Sequence, residues 1–269
     1  MREEGAELME SSNPVLSKAF GSKSKRGYAA FDSSAPVAAS TEQLDALYQA
    51  PAASSTRTGR MTMDDVVTRT GILFTVLVVV GAVAWTLKLG GGFLMIGLIG
   101  GFILAMVNSF SSKVRPGAVI GYAAFEGLAL GSLSRVYETI YPGIVGQAIL
   151  GTICAFTGVL LAYRSGRIRV TPRFQRIVMG AMVGYLLLGL VAIFVPGLRG
   201  GGTGLLIAAA GVALASFFLV LDFDQIAQGV KAGVPEQESW RAAFGLMVTV
   251  VWMYLEILRL LSILRSNNN

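Results

Sequence analysis

Hydrophobic residues along this 269-residue chain form seven long blocks that are apolar on every side. Each block is about 20 residues long, the length that a helix needs to cross the hydrocarbon core of a bilayer. Strands of a membrane barrel would alternate apolar and polar side chains, so the pattern favours helices. The predicted spans are residues 70–89, 92–110, 117–135, 142–163, 174–195, 203–225 and 243–264.

The segment before the first block is polar. Residues 1–60 are rich in Ser, Ala and Gly with little apolar periodicity, which predicts a mostly disordered tail and no cleavable signal peptide. Thr62 is the predicted N-cap of the first helix, with Asp64 and Asp65 near the positive end of its dipole. The predicted organisation is therefore a tail, 1–60, followed by a seven-helix membrane domain, 61–266.

The composition supports the membrane assignment, since 54% of residues are hydrophobic and only 14% are charged. The net charge of +6 does not indicate nucleic-acid binding, because the Lys and Arg residues lie in short loops between the blocks. Their excess on the side of the tail predicts a cytoplasmic amino terminus by the positive-inside rule. We expect a multi-pass protein of the plasma (inner) membrane that contacts lipid and binds no nucleic acid.

The chain has no histidine and a single cysteine, Cys154. Zinc hydrolysis through histidine, Ser–His catalysis and haem ligation by histidine are therefore excluded, as is a multi-cysteine metal site. Histidine is also the usual sensor of pH near neutrality, so a response in that range must come from carboxylates. An aspartyl mechanism is the remaining enzymatic alternative. The chain has no Gly-x-Gly-Asp motif, and we predict neither enzyme activity nor a bound cofactor.

Three acidic residues lie in or beside the last two blocks. Asp222 and Asp224 close the sixth block in the stretch Leu221-Asp222-Phe223-Asp224-Gln225-Ile226, and Glu256 lies inside the seventh. A carboxylate on a spanning helix is costly and usually faces a bundle interior or a water-filled cavity. Asp222, flanked by apolar residues, is the predicted buried acid, and Asp224 is predicted at the cytoplasmic mouth.

Glu256 has two alternative partners. Arg259 follows one turn later and would hold Glu256 ionised in a structural ion pair. Alternatively, Glu256 meets Asp222 across antiparallel neighbouring helices, where two carboxylates in a low-dielectric site would share one proton. Ca²⁺ prefers oxygen ligands and would be able to replace that proton. This meeting requires that the sixth helix continues well past Asp222, or that the seventh begins near Val248.

The third block contains a further acid, Glu126. It is either a neutral carboxylic acid bonded to a backbone carbonyl or a functional group, and the residues leave both interpretations open. Small residues in the same block, Gly127, Gly131 and Ser132, are interpreted as positions at which helices pack closely.

Three short sequence stretches and the arrangement of the spans occur together in this chain. They are Phe125-Glu126-Gly127-Leu128-Ala129-Leu130-Gly131, Leu221-Asp222-Phe223-Asp224-Gln225-Ile226, Tyr254-Leu255-Glu256-Ile257, and seven spans with basic inner loops. Together they resemble the Bax inhibitor-1 family of membrane proteins, bacterial type. The resemblance covers about residues 65–265 and leaves the tail outside.

The resemblance implies an all-α fold in which six helices surround a central seventh. It also implies an acid pair, one from each of the last two helices, that gates a cation path by protonation. Asp222 matches the first acid, and Glu256 stands where channel members carry Asp. Arg115 is the positional match for an arginine that holds the pair, with Arg259 as the local alternative.

Two functions of different kinds are consistent with these features. The first is a pH-sensitive calcium or cation leak channel, with Asp222, Glu256, Asp224 and Glu126 as the gating and ion-binding residues and Ca²⁺ or H⁺ as the moving ion. In this interpretation Asp222 and Glu256 would bind Ca²⁺ transiently. The second is a non-conducting regulator that binds a membrane protease or another integral membrane protein.

Overall fold

The computed structural model describes residues 59–111, 113–166, 168 and 170–268, so most of the predicted tail lies outside the described residues. Within them are seven helices that are long and apolar enough to cross a membrane. They are α1 Met63–Thr86, α2 Gly91–Phe110, α3 Pro116–Ile140, α4 Ile144–Arg164, α5 Pro172–Phe194, α6 Gly201–Ala232 and α7 Glu238–Asn268. The predicted all-helical membrane fold with seven spans is confirmed.

Successive helices run in opposite directions, so the bundle has two ends. The tail-side face is the end that carries residues 59–62, 113–115 and 233–237. The far face is the end that carries residues 87–90 and 141–143, and also the short 3-10 helix Pro196–Leu198. Asp222 belongs to the tail-side half of α6, whereas Glu256 belongs to the far half of α7.

The first helix begins at the predicted cap. The Thr62 hydroxyl accepts a hydrogen bond from the Asp65 backbone N–H at 3.2 Å, and the Asp65 carboxylate accepts one from the Thr62 N–H at 2.9 Å. This reciprocal capping box satisfies two N–H groups that the helix itself cannot bond. The prediction of Thr62 as N-cap is confirmed.

Helix α7 is the central helix. It packs extensively against α1, α4 and α6 and makes a smaller contact with α3, and its Met247, Met253 and Leu258 side chains are fully enclosed. Helices α2 and α5 lie at the periphery, where α2 packs on α3 and α5 packs on α6. Helix α7 is therefore central, with four helices packed directly on it and α2 and α5 in an outer position.

Helices α1 and α3 approach each other closely through glycine. Gly127 faces the backbone carbonyl of Leu77, and Gly131 faces Gly81 so closely that a Cβ on either α3 glycine would collide with α1 backbone. Where lipid surrounds a protein, small residues allow this backbone contact and the dispersion attraction it brings. The interpretation of Gly127 and Gly131 as packing positions is confirmed.

Candidate cation site along the sixth and seventh helices

A cavity of about 350 Å³ lies between α6 and α7 near the tail-side face, and we call it the vestibule. Its polar lining consists of Asp222 and Gln225 from α6 and Glu238 and Arg241 from α7. Arg241 pairs with Glu238 at 3.1 Å. Among the ion pairs of the described residues none includes Asp222, so this acid faces the vestibule without a cationic partner.

The Asp222 carboxylate is the most exceptional polar group of the vestibule. Its Oδ2 atom is buried and has no hydrogen-bond partner within the described part of the chain. Thr249 of α7 is the side chain that interacts with the carboxylate. A carboxylate that is withdrawn from water and only partly bonded is costly, and binding a proton or a cation relieves that cost.

Residues 59–62, which we call the strap, border the mouth of the vestibule. The strap runs antiparallel to the loop after α6: the Met61 N–H donates to the Val234 carbonyl at 2.8 Å, and the Glu236 N–H donates to the Gly59 carbonyl at 2.9 Å. The Met61 side chain is only 4% exposed and lines the vestibule. Gly229 makes room for it, since a Cβ there would lie 2.8 Å from Met61 Cε.

An ion pair ties the strap region to α1. Arg69 of α1 pairs with the Glu236 carboxylate at 2.5 Å, and its guanidinium also donates to the Glu236 backbone carbonyl. The same guanidinium lies 5.3 Å from the centre of the Trp240 ring. Because these contacts join α1 to the start of α7, they fix the loop against which the strap is bonded.

Glu256 lies in a different environment. Trp252 donates its Nε1–H to Glu256 Oε1 at 3.2 Å. Arg259 lies 3.9 Å from Oε2, which is buried and has no hydrogen-bond partner within the described residues. Tyr185 of α5 also interacts with the carboxylate. The group occupies space left by Gly211 of α6, where a Cβ would lie 2.7 Å from the Glu256 carboxyl carbon.

The predicted meeting of Asp222 with Glu256 is therefore wrong. Helix α6 does continue past Asp222, to Ala232, but Glu256 faces Gly211 whereas Asp222 faces Thr249. Gly211 and Asp222 are 11 residues apart on one helix, a rise of about 16 Å at about 1.5 Å per residue. Two carboxylates so far apart cannot share one proton or one Ca²⁺. Of the two alternatives for Glu256, the ion pair with Arg259 is the one that forms.

Asp224 does not line the vestibule, contrary to its predicted place at the mouth. Its carboxylate accepts a hydrogen bond from the Tyr163 hydroxyl of α4 at 3.3 Å and another from the Gln228 side-chain amide. Two residues along a helix rotate the side chain by roughly 200°, which places Asp224 away from the face that carries Asp222. Asp224 thus links α6 to α4.

The remaining predicted residues lie elsewhere in the bundle. Glu126 interacts with Tyr122 one turn earlier on α3, and its Oε2 lies 3.2 Å from where a Cβ on Gly101 of α2 would be. Arg115 is the exposed N-cap residue of α3. It forms no ion pair with Asp222 or Glu256 among those of the described residues, so the implied arginine clasp is not present.

Within the described ranges no group of three or more Asp, Glu, Cys or His residues is placed to hold a metal ion. A Ca²⁺ ion at Asp222 would therefore rely on one carboxylate together with backbone and water oxygens, which suits transient rather than tight binding.

Sequence reasoning missed the neighbours that distinguish the two acids. Trp252 precedes Glu256 by four residues, a spacing that places both on one helix face and would have indicated the contact. Thr249 and Gly211 come from facing helices, and the strap residue Met61 is distant in sequence. No local pattern could have identified these three.

Seven spanning helices with α7 at the centre define a multi-pass helical membrane protein. The family model described as Bax inhibitor 1 like matches residues 13–266, nearly the whole chain. The chain therefore belongs to the Bax inhibitor 1 like family. A comparison with curated proteins finds no match. Because the family match begins at residue 13, the expectation that the resemblance leaves the tail outside is wrong.

Proposed function

We propose that the protein is a pH-sensitive calcium or cation leak channel whose inner ion-binding group is Asp222 alone. Membership of the Bax inhibitor 1 like family supports the membrane class, and the vestibule supports the finer assignment. The single observation that carries it is a buried, incompletely bonded carboxylate oxygen at the wall of a polar cavity near one face. We place that face in the cytoplasm and the protein in the plasma membrane.

The proposed chemistry is competition between a proton and a metal cation for one carboxylate. Protonated Asp222 is neutral and attracts Ca²⁺ far less than the ionised carboxylate does. Within the described residues Asp222 forms no ion pair with arginine or lysine, so its charge, when ionised, is available to a cation entering the vestibule. Cation flux is therefore expected to rise from about pH 5 to about pH 8, with no histidine needed.

Beyond Asp222 the path along α7 is closed by apolar packing. The side chains of Ala215, Leu219 and Met253 lie between the levels of Asp222 and Glu256, and none of the three is exposed. A cation cannot pass this layer unless α6 and α7 separate. If the protein conducts, the flux is therefore expected to be slow and to need a brief open state. Glu256, already paired with Arg259, is the next acid on the far side.

The test is Ca²⁺ flux into liposomes that contain the full chain and a calcium-sensitive dye, measured across the same pH range. We expect flux above that of empty liposomes, rising with pH, and Asp222→Asn should remove most of the pH dependence. Asp224→Asn is the matched control, because it removes a nearby acid of the same type that does not line the vestibule.

Flux that ignores both pH and Asp222→Asn would contradict this function. The alternative, a non-conducting regulator of a membrane protease or another integral protein, would then be the better account. Crosslinking followed by identification of a stoichiometric membrane partner would support that alternative.

A further inference from the structure

A second polar cavity lies at the far face, on the opposite side of the bundle from the vestibule. It has a volume of about 210 Å³ and lies between α3 and the turn that joins α1 to α2. Its polar lining consists of Lys88, Arg135, Ser132 and Thr139, together with the glycines that begin α2. We call it the far-face pocket.

The charge of the far-face pocket is positive throughout. Lys88 and Arg135 both line it, no acidic residue does, and no ion pair among the described residues includes either cation. Arg135 donates one N–H to the Trp85 carbonyl at 3.1 Å and lies 5.9 Å from the centre of the Trp85 ring. These contacts hold the guanidinium in place and leave other donors for a ligand, since Arg carries five.

The start of α2 adds a second source of positive potential. This helix has 20 residues, and its N-cap is Gly90, which provides no side chain to cap the first N–H groups. Gly90 and Gly91 line the pocket. The uncapped end of a helix carries a partial positive charge and directs N–H donors towards an anion.

Ser132 supplies the observation that points to a ligand. The residue is only 3% exposed and lines the pocket, yet its hydroxyl has no hydrogen-bond partner within the described residues. Serine and threonine on spanning helices ordinarily bond the carbonyl four residues before, as Thr152 and Ser216 do here. A buried hydroxyl left unbonded is costly, and a ligand oxygen would satisfy it if the pocket wall at Ser132 shifts enough for the two atoms to meet.

We propose that the far-face pocket binds a phosphate group, held by Arg135, Lys88, the Ser132 hydroxyl and the start of α2. A planar guanidinium, a lysine and an open helix start together suit a group with several anionic oxygens. The pocket lies at the end of spanning helices, the level at which phospholipid head groups lie. The phosphate can therefore come from a lipid or from solution, and the chemistry at the pocket is the same. This site is independent of the proposed leak.

The test uses the purified full chain in detergent and compares three probes. Phosphatidylglycerol and diacylglycerol with the same acyl chains are titrated by native mass spectrometry, and inorganic phosphate is titrated by thermal shift. We expect phosphatidylglycerol to bind and diacylglycerol not to. Arg135→Gln should weaken binding about tenfold. Arg199→Gln is the matched control, because Arg199 lies at the same face and also donates to a backbone carbonyl, that of Ala192.

Ser132→Ala provides a test that does not depend on a charge change. It should weaken phosphate binding about threefold, the effect of one neutral hydrogen bond. Without phosphate it should raise the melting temperature, because it removes an unbonded hydroxyl. A residue with a purely structural role would not show these opposite effects.

The outcomes separate the sources and also decide the proposal. Selective phosphatidylglycerol binding that responds to both variants supports a lipid phosphate, whereas stabilisation by inorganic phosphate alone that responds to both supports a soluble one. The proposal is overturned if neither probe binds, or if Arg135→Gln and Ser132→Ala bind both probes as well as Arg199→Gln does.

Discussion

The two acids on α6 and α7 occupy opposite situations in one bundle. Glu256 receives a hydrogen bond from Trp252, lies beside Arg259 and occupies a recess above Gly211. Asp222 borders a cavity and forms no ion pair within the described residues, whereas each of the two acids has one buried carboxylate oxygen without a hydrogen-bond partner there. Both residues carry a carboxylate. The surroundings of each one decide whether it stabilises helix packing or can bind a ligand.

The largest expected effect is at the recess that holds Glu256. Gly211→Leu would drive a side chain into the space of the Glu256 carboxyl group and the Tyr185 hydroxyl. Overpacking of this kind should lower the free energy of unfolding by about 3 kcal/mol. Denaturation in detergent would measure it. Gly180→Leu is the control, because a Cβ at Gly180 has no atom within 4 Å. Equal effects of the two changes would mean that the recess is not tightly packed.

The second prediction compares the acids directly through their amide variants. Glu256→Gln removes the charge that faces Arg259 and should lower the free energy of unfolding by about 1 kcal/mol, since Arg259 is partly exposed. Asp222→Asn removes an unpaired buried charge and should raise it by about 1 kcal/mol. The measurement is the same denaturation series at neutral pH. Changes of the same sign would contradict the distinction drawn between the two acids.

The third prediction concerns the mouth of the vestibule. Arg69→Gln removes the ion pair with Glu236. It should make opening of the strap easier by about 1 kcal/mol, which raises the equilibrium constant for opening about fivefold. Opening can be followed by the rate at which a water-soluble thiol reagent modifies Met61→Cys in a Cys154→Ala background. Arg176→Gln is the control, since among the described residues the hydrogen bond of its guanidinium goes to the Pro172 carbonyl on its own helix. An unchanged rate would show that the ion pair does not hold the strap.

The smallest effect is expected at Asp224. Asp224→Asn keeps an oxygen that accepts the hydrogen bond from Tyr163, so the free energy of unfolding should change by no more than about 0.5 kcal/mol. Ca²⁺ flux should also be unchanged. A large loss of flux in this variant would place the ion path on the α4 side of α6 rather than at the vestibule.

The sequence was sufficient for features that depend on local pattern. Span number follows from block length, and the cap at Thr62 follows from two residues three positions apart. The prediction that Asp222 pairs with Glu256 was wrong because it depended on how far α7 is shifted along α6. Both helices are largely apolar around their circumference, so hydropathy does not fix that shift. Backbone contacts at positions such as Gly211 do, and they are recognisable only once the helices are packed.

Ser132 illustrates a different limit. In the sequence it is one small residue among the packing positions of α3, and the structure shows a buried hydroxyl that has no hydrogen-bond partner in the described part of the chain. Whether a serine hydroxyl bonds a carbonyl of its own helix depends on side-chain rotation and on the cavity beside it. Neither can be predicted from the neighbouring residues in the sequence. Lys88 and Arg135, 47 positions apart, likewise become neighbours only because α1 and α3 are close.

The glycine contacts between α1 and α3 bear on where this protein can deform. With Leu77 backbone against Gly127 and Gly81 against Gly131, no side chain separates the two helices, and neither can slide or roll without a collision. The pair is therefore the fixed frame of the bundle. A rearrangement that separates α6 from α7 must therefore move helices outside this pair. Helix α5 packs mainly on α6 and would move together with it.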